Sequence, residues 1–81
     1  MDSRTSAQIQ ANREYLVSEL ARKDWLVAAE TAEMLKLPSW GVFQGRIREM
    51  VGGVEVTVGG LGGLGLGVEK VGEVARGVWG G

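Results

Sequence analysis

Residues 27–50 read VAAETAEMLKLPSWGVFQGRIREM, and this stretch decides the fold. Its second half carries Trp40, Phe43, Ile47 and Met50, spaced three, four and three residues apart. That is the period of a helix with one buried face. Gln44, Arg46 and Arg48 fall on the opposite side. The first half, Ala28–Leu37, holds alanines at 28, 29 and 32, small enough to let a second helix come close. Pro38 divides the two halves, because the residue before a proline avoids helical backbone. One helix is therefore expected to stop before Pro38 and another to run from Ser39 to Met50, with the Ser39 hydroxyl as its N-cap.

Upstream, residues 7–22 (AQIQANREYLVSELAR) contain no glycine or proline and have high helix propensity throughout. Ile9, Leu16 and Leu20 recur at helical spacing and are expected to face the core. The apolar phase breaks at Lys23-Asp24, and the consecutive apolar run Trp25-Leu26-Val27 reads as a short extended link. The expectation is a mainly α chain with a three-helix core in residues 1–50. Trp25, Leu35, Trp40, Phe43 and Ile47 are its expected core.

The segment from Val27 to Met50 resembles the helix-turn-helix core of bacterial winged-helix regulators. Ala29, Glu30, Ala32, Leu35, Leu37 and Ser39 carry the likeness, which covers about residues 12–50. Lys36 stands where many such turns have glycine. The resemblance implies that the helix from Ser39 to Met50 is a recognition helix entering a DNA major groove. Ser39, Gln44, Arg46 and Arg48 would then be its contacts to base edges or phosphates.

Composition changes sharply after Val51. Twelve of the fourteen glycines lie from Gly52 to Gly81. Residues 51–81 are therefore read as a glycine-rich extension, and they admit several forms. Val54–Val58 is β-branched and the glycines after it can turn, so a β-hairpin wing is one. Gly60, Gly62 and Gly65 satisfy the dinucleotide-binding spacing G-x-G-x-x-G, and VTVGGLGGLG resembles the first strand and turn of Rossmann proteins. No acidic residue stands about 20 positions further on to hold a ribose. Gly59, Gly63 and Gly67 are four apart, with Leu61, Leu64, Val68, Val71, Ala75 and Val78 forming a heptad-like seam for self-association. Val68–Val78 alone fits a short amphipathic helix. A poorly ordered tail is the remaining form.

Composition excludes much chemistry. The chain has neither cysteine nor histidine, so disulfides, Cys/His zinc sites and His-based nucleophile pairs are impossible. No carboxylate pair sits at a spacing that suggests acid–base catalysis, so an enzyme is not expected, and neither is a cofactor, a metal or a small-molecule ligand. A domain of this size is marginal without a stabilising partner, which makes a homo-oligomer the expectation. The opening residues MDSRTSAQIQ lack the apolar segment of a secretory leader, and the longest apolar-plus-glycine run is about 11 residues against roughly 20 for a membrane span. The expected location is the cytoplasm, without membrane contact.

The net charge of −1 gives no overall basic footprint, so any DNA affinity must be local. The favoured reading is a small DNA-binding protein: a transcriptional regulator or a phage- or plasmid-type accessory factor. The alternative is a structural or assembly protein that self-associates, or contacts membrane, through its glycine-rich half.

Overall fold

The computed structural model describes residues 3–80. The protein is mainly helical. Four α-helices form in order: α1 (Ser3–Ala21), α2 (Trp25–Leu35), α3 (Pro38–Val51) and α4 (Val68–Trp79). A 3-10 segment, Val58–Leu64, lies between α3 and α4.

Asp24 starts α2. Its backbone is extended, and its carboxylate accepts a hydrogen bond from the Leu26 N–H at 3.0 Å. This satisfies one donor that the first helical turn would leave unpaired. Trp25, Leu26 and Val27 are therefore the first turn of a helix and not the extended link expected from their apolar run. A side-chain cap outweighs the local crowding of three large residues.

The α2–α3 connection is two residues long. Lys36 adopts the left-handed conformation, with φ 53° and ψ 46°. The Lys36 N–H reaches the Glu33 carbonyl at 3.1 Å, and the Leu37 N–H reaches the Ala32 carbonyl at 3.0 Å. These are the paired bonds of a Schellman C-cap, in which glycine usually occupies the left-handed site. Leu37 then takes the extended backbone that a following proline demands and is itself the N-cap of α3. Pro38 sits in the first turn, where its missing N–H costs nothing. The expected Ser39 cap does not form. Ser39 lies inside the helix, and its hydroxyl donates to the Glu14 carboxylate of α1. At the other end of α3, Gly52 closes the helix at φ 80°, and the Gly53 N–H returns to the Arg48 carbonyl at 3.0 Å.

One core joins both halves of the chain. Val17, Ala28, Ala29, Ala32, Phe43, Ile47, Val56 and Ala75 are fully buried, and Leu37, Trp40, Leu61, Val71 and Trp79 nearly so. Trp40, Phe43 and Ile47 take their expected places. Trp25 and Leu35 lie at the core's margin, half-buried. Met50, the last member of the α3 stripe, is exposed. The inner seam of α1 is Val17 and Ala21, whereas Ile9 and Leu16 point outward. The core-facing layer is thus one residue out of phase with the larger apolar stripe of that helix. Gly72 marks a close approach of α4 to α2, because a Cβ there would lie 2.9 Å from Trp25 Nε1.

Among the described residues no strand forms, so the hairpin wing is replaced by the 3-10 segment. Val54–Val58 has β-branched residues but meets no sheet edge. Instead Val56 is buried singly, and Thr57 caps the 3-10 segment by accepting from the Gly60 N–H at 3.1 Å. The Rossmann-like turn is overturned by the same fact, since Gly60, Gly62 and Gly65 follow no strand. The expected helix at Val68–Val78 does form, as α4.

This packing makes the two halves of the chain interdependent. Removing residues 52–81 takes Val56, Leu61, Val71, Ala75 and Trp79 out of the core. At about 1.5–3 kcal/mol for each large side chain, that loss matches the whole stability of a small domain, roughly 5–15 kcal/mol. The truncated chain should show no cooperative thermal transition by circular dichroism. Separately, Lys36→Gly should stabilise the protein by about 0.5–1 kcal/mol, because relief of the left-handed strain exceeds the added freedom of the unfolded chain. A melting point that rises by a few degrees checks it; an unchanged or lower one contradicts the strain.

Candidate nucleic-acid interface

Helix α3 buries Trp40, Phe43 and Ile47 and turns its other side to solvent. The exposed side begins with Gly41 and Val42, continues through Gly45 and Arg46, and ends with Arg48 and Glu49. No neighbouring atom lies within 4 Å of where a Cβ would stand on Gly41 or Gly45. The result is a smooth helical surface, bare of side chains at two positions and flanked by two guanidinium groups. The arginines exceed the single glutamate by one charge, so the patch is weakly cationic within a chain of net charge −1.

The four residues expected at the interface separate into two pairs. Arg46 and Arg48 are exposed, and neither is in an ion pair among the described residues. The Arg46 guanidinium lies along α4, 3.2 Å from the position a Cβ would take on Gly77. Gln44 is half-buried, and its amide donates to the Val56 carbonyl at 2.8 Å. Ser39 is held by Glu14. Gln44 and Ser39 therefore fasten α3 to the linker and to α1, and their polar atoms point away from the outer face. The spacing of Gly41 and Gly45, four apart on the outer side, is visible in the sequence but carries no weight there beside the arginines.

The linker after α3 is pinned a second time. The Val58 N–H donates to the Glu33 carboxylate of α2 at 3.1 Å. With the Gln44 bond, this ties Val54–Val58 to both α2 and α3. Among the described residues no cluster of carboxylates could hold a metal ion. No helix among them is long and apolar enough to cross a membrane.

Gln44→Ala should cost about 1–2 kcal/mol, the loss of a part-buried hydrogen bond plus an unpaired Val56 carbonyl. Urea denaturation reads the change. An effect below about 0.3 kcal/mol would show that water replaces the glutamine freely.

No family model, no curated protein and no solved structure matches this chain.

Proposed function

We propose that this is a small DNA-binding protein, a transcriptional regulator or a phage- or plasmid-type accessory factor, built on a helix-turn-helix core. In this reading α2 and the tight Lys36-Leu37 turn present α3 to a major groove. The observation that carries it is the outer face of α3. There Arg46, whose guanidinium lies along α4, and Arg48, both exposed and in no ion pair among the described residues, flank a glycine surface that lets a phosphate backbone or base edge approach the helix closely. Arginine is the side chain best suited to bidentate contacts with guanine edges and with phosphates. Ser39 and Gln44 act in this reading as positioning residues, since their polar atoms hold α3 and do not face outward.

One such module offers few contacts, so the expected binding form is a dimer on two half-sites. The glycine-rich half serves as a brace behind α3. The assembly reading has less support, because in the seam it needs Leu61, Val71 and Ala75 are buried against the chain's own helices and Leu64 and Val78 are half-buried, which leaves Val68 exposed.

Fluorescence polarisation with random duplex DNA at low salt tests the reading. Nonspecific affinities of roughly 10⁻⁴ to 10⁻⁶ M are expected, and no signal at about 100 µM protein removes it. Arg46→Ala with Arg48→Ala should weaken binding about tenfold or more while leaving the melting point within about 2 °C. The slope of log affinity against log salt should fall by about 0.9 for each phosphate no longer neutralised.

A further inference from the structure

The inward seam of α1 changes character along its length. Counting back from the buried Ala21 and Val17 in steps of four, four, three and four residues reaches Arg13, Gln10 and Ser6. Such steps stay on one face of a helix. The seam is apolar where it meets the core and polar where it passes the α2–α3 turn. There a cleft of about 410 Å³ opens between helix and turn. Ser6, Gln10 and Arg13 line it from α1, and Lys36 lines it from the turn. Buried Leu37, half-buried Leu35 and the more exposed Ile9 form its apolar wall. The cleft is cationic and uncompensated. No carboxylate lines it, and neither Arg13 nor Lys36 is in an ion pair among the described residues. The carboxylates nearest to them in sequence are engaged elsewhere, Glu14 with the Ser39 hydroxyl and Glu33 with the Val58 N–H. Lys36 also occupies the left-handed C-cap site, where a glycine would relieve strain but bring no charge.

We propose that this cleft binds a phosphate monoester whose organic group is apolar. Each part of that ligand answers a feature of the cleft. Two cations match the charge of roughly −1.5 to −2 that a phosphate monoester carries at neutral pH. Arginine takes two phosphate oxygens through its planar fork, and lysine supplies a point charge. The Ser6 hydroxyl and the Gln10 amide are further donors for the remaining oxygen. The organic group lies against Ile9, Leu35 and Leu37. A volume of about 410 Å³ falls within the range of small-molecule sites. A DNA backbone phosphate, flanked by sugars, brings no apolar group to that wall. The inference therefore stands apart from the DNA reading, which rests on the outer face of α3.

Titration of isotope-labelled protein with naphthyl phosphate, followed through the amide chemical shifts, tests it. Saturable shifts should centre on Arg13, Lys36 and Leu37, with a dissociation constant of about 0.1–1 mM. Naphthol and inorganic phosphate each carry half of the ligand and should bind at least about tenfold more weakly. Naphthoate, with a single charge, should bind at least about threefold more weakly. Arg13→Gln and Lys36→Gln should each raise the constant about fivefold or more. Lys36→Gly, which should melt higher than the wild type, should do the same, so that lost binding is separated from lost folding. Arg22→Gln, at the far end of α1, should change the constant less than about twofold. Absence of saturable shifts at about 5 mM ligand, equal binding of naphthol, naphthoate or inorganic phosphate, or an equal effect of Arg22→Gln would each overturn the inference.

Discussion

The contact on which the rest depends is the aromatic column Trp40–Phe43–Trp79. Phe43 is fully buried, with ring centroids 5.5 Å from Trp40 and 5.1 Å from Trp79. Trp40 and Phe43 belong to α3, and Trp79 is the last residue of α4. The tilted rings gain roughly 0.5–1.5 kcal/mol per pair beyond their burial. More important is what the column joins. It draws the end of a glycine-rich stretch back onto the helix that precedes that stretch. Everything between them, from Gly52 to Val78, is thereby held in a closed loop, and burial of the column offsets the entropy that closing a glycine-rich loop costs. The indole N–H of Trp79 has no partner in this column, so packing overrides a donor's usual demand for an acceptor.

Within that loop, order comes from side chains supplied by the helices. Gln44 holds the Val56 carbonyl and Glu33 holds the Val58 N–H. The glycine segment supplies backbone groups and three apolar plugs, Val56, Leu61 and Val71. This division explains why the segment folds as a 3-10 turn and a helix. A hairpin would need its own cross-strand pairs, and glycines offer none.

How much can be read from the sequence follows the same physics. The stripe Trp40, Phe43, Ile47 is legible because three large residues at helical spacing admit one interpretation. The α1 seam is not, because that helix carries two stripes, Ile9–Leu16–Leu20 and Val17–Ala21, and periodicity cannot tell which one faces inward. The start of α2 is hidden because the Asp24 cap is a single carboxylate, outweighed in pattern by three apolar neighbours. Val56 and Leu61 have no periodic company at all. At the candidate interface, exposure of Arg46 and Arg48 is legible from their phase opposite Phe43. The inward turn of Gln44 is not, because it depends on a carbonyl twelve residues later whose position only the folded loop defines.

The place of Trp79 in the chain has a consequence for synthesis. Ribosomes add about 5–20 residues per second, so Trp79 follows Val51 by roughly 1–6 s. During that interval α1, α2 and α3 can form, yet the far side of Phe43 faces water. The nascent chain therefore passes through a stage in which its most buried ring is its most adhesive surface. That interval is when neighbouring nascent chains, or a chaperone, compete with the closing helix.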